Sequence, residues 1–358
     1  MAAKQKLNSL QALRAIAFLG IFLIHAGAAV NWGKLGVSLF FVLSGFLMVY
    51  SYMDRPLSLN PISALGFSIS KIKKLYPLHI ITMLLACIRP AMVIIRTGNS
   101  WASLINRVVL NVLLLQTWVP VVEVNISLNG VAWYFSVCLF LYFCFPAVMW
   151  LLKRLHRPAA LVALGFCILI LMYAMSLWSL DRVGLDYQFF TWATYCFPVY
   201  RLGDFIIGAI AGYLFLSGSF DGIQGAGAAI LEFLALFLAI GVELFGKTTQ
   251  TVPFIRAIAE NYTLMFVPVS ALLVIVFALR RGPLTRLLDC GPLKFFGDLS
   301  PYMFLIHYVV TQNAKIILAD NGITASGFLV LAIYAAELAI TIILSLIYRK
   351  LEGLVKEM

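Results

Sequence analysis

Arg14 and His25 stand eleven residues apart in the first apolar run of the sequence. On a helix that is about three turns, so at roughly 100° per residue the two side chains face nearly the same way, about 16 Å apart along the axis. Ionisable groups are costly in a bilayer, and those in or beside apolar spans are functional candidates by default. Each alone has a plain reading, a packed histidine on an apolar face and an arginine snorkelling from a span end. Together they form a polar track along the span, and imidazole is the side chain best suited to take a proton from an attacking hydroxyl at neutral pH.

Other polar residues fall in apolar surroundings. Glu337 lies near the middle of the last apolar run, where a carboxylate must be protonated, paired or functional. Arg201 and Asp204 are spaced i, i+3, which fits an intrahelical pair. Of the four histidines, His79 follows Pro77, His156 sits in a basic loop and reads as solvated, and His307 lies in an apolar run as a candidate lining residue. Ser44-Gly45 after an apolar stretch reads as a close-packing device between membrane helices. The six cysteines occur singly, without C-x-x-C or metal-ligand spacing, so they read as buried inert thiols and no metal is expected.

The elements that must position these residues follow from composition. Of 358 residues 63% are hydrophobic and 11% charged, with a mean hydropathy of +0.98, too apolar for one soluble core. Lipid cannot satisfy backbone polar groups, and the apolar runs are continuous rather than alternating, so helices are expected and a barrel is not. The expected fold is an all-α integral membrane protein with about ten transmembrane helices in one bundle. The spans fall at roughly 9–30, 34–53, 76–96, 131–152, 159–178, 202–217, 226–245, 262–280, 301–318 and 325–348.

The stretch 104–118 is too short to span and decides the topology. If it does not cross, Lys4 and Lys6, Arg55 with Lys71, Lys73 and Lys74, the 153–157 cluster, Arg280 to Lys294 and the basic tail all fall inside. It is therefore expected to be a short re-entrant or interfacial helix, with both termini cytoplasmic. The same bias accounts for the formal net charge of +11 without nucleic acid. Ala26-Gly27-Ala28 imitates a leader cleavage site, but Arg14 interrupts the run before it, so the first helix is expected to be retained. No linker or nucleotide-binding motif marks a second unit, and the chain ends soon after the last span. One membrane-embedded domain over 1–358, without an appended soluble domain, is expected.

A series of motifs carries a resemblance. Leu7 to Arg14, the ten-residue gap to His25, and Gly36-Val37-Ser38-Leu39-Phe40-Phe41-Val42-Leu43-Ser44-Gly45-Phe46 come first. Lys71-Ile72-Lys73-Lys74-Leu75-Tyr76-Pro77, Asn129-Gly130-Val131-Ala132-Trp133-Tyr134-Phe135-Ser136, Arg201-Leu202-Gly203-Asp204-Phe205 and Gly297 to His307 follow in order. Together they resemble acyltransferase family 3, membrane proteins that O-acylate sugars and surface glycans; the family usually has Arg where this chain has its lysine cluster.

The resemblance implies an acyl-coenzyme A donor, acetyl by default and succinyl or another short acyl equally compatible, used as co-substrate with no permanently bound cofactor. It implies a saccharide or lipid-linked glycan acceptor. It makes His25 the general base and Arg14 a cation that positions the donor or the histidine. Lys71, Lys73 and Lys74 then hold the donor phosphates or contact anionic lipid. Ser44, Asn129, Trp133, Ser136, Arg201, His307 and Glu337 are the remaining candidates for lining the site. The expected place is a cell membrane, of the bacterial inner-membrane kind. A proton-coupled secondary transporter is the alternative from another class, since His25, Arg14 and Glu337 could also carry protons with a solute; a scaffolding or lipid-flipping role would leave the Arg14–His25 spacing without use.

Overall fold

The computed structural model describes residues 7–28, 32–181, 187–248 and 262–357. Among these residues the elements are helical and none is a strand. In chain order they are α1 (Asn8–Ala26), α2 (Trp32–Tyr52), α3 (Pro61–Ile72), α4 (Tyr76–Thr97), α5 (Ala102–Val112), a 3₁₀ turn (Gln116–Trp118) and α6 (Val122–Asn125). Then come α7 (Trp133–Leu155), α8 (Pro158–Asp181), α9 (Tyr187–Thr191), a π turn (Trp192–Cys196), α10 (Pro198–Leu216), α11 (Gly225–Thr248), α12 (Tyr262–Leu279), α13 (Pro283–Leu288), α14 (Gly291–Asp320) and α15 (Phe328–Glu357).

The chain is an all-α integral membrane protein. Eight of the described helices are long and apolar enough to cross a membrane: α1, α2, α4, α7, α8, the stretch Gln188–Leu216, α11 and α15. The expected spans 262–280 and 301–318 fall on α12 and the later part of α14. That helix starts ten residues before the expected span, with Pro292 in its first turn, and its early turns carry Lys294 and Asp298. The first span ends sooner than expected. Gly27 takes a left-handed conformation (φ 109°) and its N–H returns to the carbonyls of Leu23 and Ile24, which closes α1. Residues 29 and 30 of that span, and Lys4 and Lys6, lie outside the described residues.

The 104–118 stretch forms α5 and the 3₁₀ turn, too short at eleven residues to cross. Its irregular backbone is satisfied by buried amides: Asn125 Nδ2 donates to the carbonyls of Gln116 (2.6 Å) and Val119 (2.8 Å), and Gln116 Nε2 to that of Ala132 (3.3 Å). The sequence reading had no helix at α3. Ile62, Leu65 and Ile69 face outward on it, while Ser68 donates to the Leu139 carbonyl of α7 and docks the other face.

Two seams fix the centre of the bundle. α2 lies against α10, where a Cβ on Gly45 would strike the Phe205 carbonyl and one on Gly208 the Val42 carbonyl, so only glycine permits this approach. α1 lies against α14, where Gly297 sits on the Gln11 backbone. Because Gly297 meets Gln11 and His307 meets His25, the two helices run in the same direction.

Candidate active site

One face of α2 lines an elongated cavity of about 420 Å³. Phe40, Leu43, Ser44, Leu47, Met48, Ser51 and Tyr52 face it at helical spacing, and Arg55 continues the row beyond the helix end. From Phe40 to Tyr52 the slot follows about 18 Å of helix axis. Its two ends differ in chemistry. At one end the ring of Tyr52 lies under two cations, with Lys71 Nζ 4.4 Å and the Arg55 guanidinium carbon 5.0 Å from its centroid. Lys71 also donates to the Tyr52 hydroxyl. At the other end the rings of Phe40, Tyr134 and Phe304 close on one another, with centroids 6.2, 6.1 and 5.2 Å apart.

Between these ends the wall is polar. Arg14 reaches the slot from α1, beside Tyr134, Cys138 and Tyr142 of α7 and Ser44 of α2. Its Nε is buried without a hydrogen-bond partner, so the guanidinium keeps an unused donor in a walled space. Ser44 shares a 3.0 Å hydrogen bond with the Tyr142 hydroxyl. The packing expected of Ser44-Gly45 is thus divided: Gly45 makes the close approach to α10, and Ser44, on the cavity side, helps to line the slot.

His25 lies beyond the aromatic end and pairs with a histidine that follows 282 positions later. Its Nδ1 is 2.9 Å from Nε2 of His307, which is fully buried. Nδ1 of His307 lies 3.1 Å from the Met303 carbonyl. The rings of Phe18 (5.4 Å), Phe304 (5.9 Å) and Phe22 (6.4 Å) surround His307, and Tyr308 meets His25 edge-on at 5.2 Å. Phe304 therefore has the slot on one side and His307 on the other. The side chain hydrogen-bonded to His25 is His307; Arg14, about 16 Å away along α1, faces the slot instead.

The remaining candidates separate by surroundings. Lys71 lines the slot, whereas Lys73 is exposed and Lys74 rests over the Tyr302 ring at 5.2 Å. Asn129 ties the bundle, donating to Thr82 Oγ1 and to the Leu305 carbonyl, both at 2.9 Å. Trp133 packs between Phe41 (6.0 Å) and Tyr195 (4.9 Å). Ser136 donates to the Leu114 carbonyl (2.5 Å) and pairs with Thr117 (2.7 Å), fastening the 3₁₀ segment to α7.

Arg201, 1% exposed, donates through Nε to the Tyr195 carbonyl (2.8 Å) and pairs with Asp204 at 3.4 Å, the ion pair its spacing predicts. Ser38 of α2 donates to the same carboxylate, so the group fastens α10 to α2. Glu337 is buried on α15 away from the slot, with Oε2 unpartnered. His156 is exposed in a left-handed turn, and His79 is held at 3.0 Å by the Asn111 carbonyl. All six cysteines are free, but only Cys138 and Cys196 are buried; Cys167 lies on the outward face of α8, where lipid rather than protein covers an apolar helix.

Arg55, Tyr52, Tyr134, Cys138 and Tyr142 were absent from the sequence-derived site. One signal was available on α2: Ser44, Ser51 and Arg55 recur at intervals of seven and four on a single helical face.

A family profile for acyltransferase family 3, described as an acyltransferase domain, matches residues 7–350. The chain is also similar to a protein of Streptomyces mycarofaciens named acyltransferase MdmB, with 26% identity over 380 residues, covering 94% of this chain and 90% of that relative. No solved structure matches.

Proposed function

This chain belongs to acyltransferase family 3 and is a membrane acyltransferase, and we propose that it moves an acyl group, acetyl by default, from cytoplasmic acyl-coenzyme A to a hydroxyl of a saccharide or lipid-linked glycan. The observation that carries this reading is the slot, which is cationic at one end, runs along about 18 Å of α2, and is lined at its other end by aromatic rings, one of which packs on the histidine pair. Such a shape suits a donor with a phosphate-bearing head and a slender arm ending in a thioester. A proton-coupled transporter has no comparable use for a cationic mouth leading to an aromatic end beside a histidine pair.

In this reading the slot mouth, with both chain termini, faces the cytoplasm of a bacterial-type cell membrane. Arg55 and Lys71 take the donor phosphates there, and the free Nε–H of Arg14 holds a polar group of the arm. The thioester then lies at the aromatic end, next to the Phe304 ring that packs on His307, and a turn of that ring opens the way to His25. The acceptor hydroxyl attacks the thioester carbon as His25 removes its proton, forming the new C–O bond and a tetrahedral oxyanion. Collapse breaks the C–S bond, and the imidazolium returns the proton to the departing thiolate. The proton balance closes without a metal or a permanently bound cofactor.

Calorimetry of coenzyme A and acetyl-coenzyme A binding to detergent-purified protein tests the donor, with Arg14→Ala alongside wild type. Saturable binding weakened by the substitution is the expected outcome. Folded wild-type protein that binds neither compound would overturn the proposal.

A further inference from the structure

The hydrogen bonds of His307 fix where the protons of the histidine pair lie. Its Nδ1 faces the Met303 carbonyl at 3.1 Å, and a carbonyl can only accept, so that nitrogen carries a proton. A neutral imidazole has one N–H, which leaves Nε2 of His307 as an acceptor. The atom 2.9 Å away, Nδ1 of His25, must then be the donor. The protonated alternative, with both nitrogens of His307 donating, would place a cation among the rings of Phe18, Phe22 and Phe304 at a fully buried position.

We propose that His307 is a positioning residue that holds His25 in its Nδ1–H tautomer and so presents the bare Nε2 of His25 as the base. The accessibility of the two rings agrees: His307 is fully buried and His25 only partly, so of the pair it is His25 that an acceptor can reach. An unconstrained imidazole in water favours the proton on Nε2, the wrong nitrogen for this role. The bond to His307 therefore supplies tautomer and ring orientation together, the part a buried carboxylate plays beside other catalytic histidines. As a base, the inference rests on the acyltransfer reading; as a tautomer, it does not.

Nitrogen-15 NMR of the whole protein with labelled histidine, at a pH where the rings are neutral, tests the tautomer without any substrate. The His25 signals are assigned by their loss in His25→Gln. A protonated Nδ1 and unprotonated Nε2 on His25 are expected in wild type, and the reverse pattern would overturn the proposal whether or not the protein transfers acyl groups. Kinetics test the consequence. His307→Leu removes the acceptor and is expected to lower kcat by about 10- to 100-fold with little change in donor KM, while His307→Gln, whose amide oxygen can accept from Nδ1–H, recovers most of the rate. Unchanged kcat in His307→Leu, or equal loss in both variants, would refute the positioning role.

Discussion

Arg201 in α10 and Arg14 in α1 both lie in membrane helices, and their surroundings differ. Arg201 meets a carbonyl and a carboxylate, and that carboxylate is shared with Ser38 of the neighbouring helix. The pair is buried on the seam between α2 and α10, with Arg201 1% exposed and Asp204 fully buried. Arg14 instead lines a slot and keeps a buried Nε without a partner. A bilayer makes both arginines expensive, so residue type alone does not separate them. The separation lies in unused hydrogen-bonding capacity beside open volume: Arg201 spends its donors on fastening helices, and Arg14 keeps its Nε–H free at the wall of a cavity.

The largest effect should come from the same unsatisfied side of the molecule. His25→Ala is expected to reduce transfer by about 10²- to 10⁴-fold, the range for losing a general base, while the purified variant keeps the wild-type unfolding temperature. A variant that transfers at the wild-type rate would remove the base from this site. Arg201→Ala should do the opposite. It strands the Asp204 carboxylate at a fully buried position, and breaking such a pair costs about 3–5 kcal/mol of stability. Thermal unfolding in detergent measures that loss, and pairing Arg201→Met with Asp204→Leu should restore much of it, because the stranded charge is gone.

Arg14→Ala completes the contrast between the arginines. Its loss removes no internal hydrogen bond at Nε, so the unfolding temperature should stay near wild type. Donor affinity should fall about 10- to 100-fold, as for a charged hydrogen bond of about 1.5–3 kcal/mol. If Arg14→Ala instead unfolds the protein and leaves the donor affinity of the folded fraction intact, the two arginines are alike and the distinction fails.

The division between fold and site also marks what sequence could say. Helices were readable because lipid forces an apolar run of sufficient length into one backbone form: each of the ten expected stretches holds a helix among its described residues, and eight described helices are long and apolar enough to cross. α3 escaped notice because Ile62, Leu65 and Ile69 alternate with serines over only twelve residues, a pattern of interfacial rather than spanning length. Arg14 and His25 could be found because one helix carries both. The pairing of His25 with His307 could not, since it joins residues 282 apart through the crossing of α1 and α14. The slot was hidden for the same reason: Tyr134 and Tyr142 belong to the Trp-centred motif and Cys138 looks like an ordinary span residue, but that all three line one cavity shows only when α7 is set against α2.

The smallest expected effects lie at the mouth, where the same test can be applied to charges in water. Arg55 and Lys71 face the slot over Tyr52, while Lys73, two positions from Lys71, faces outward. Exposed ion pairs are worth about 0.2–1 kcal/mol each, so Arg55→Ala and Lys71→Ala should each raise donor KM up to about fivefold and leave kcat unchanged. Salt should erode that difference, because screening acts strongly on exposed charges. Lys73→Ala should change neither constant. An equal rise in donor KM from Lys73→Ala would mean that the mouth attracts its donor through a diffuse positive field, and that only Arg14, inside the slot, distinguishes one donor from another by contact.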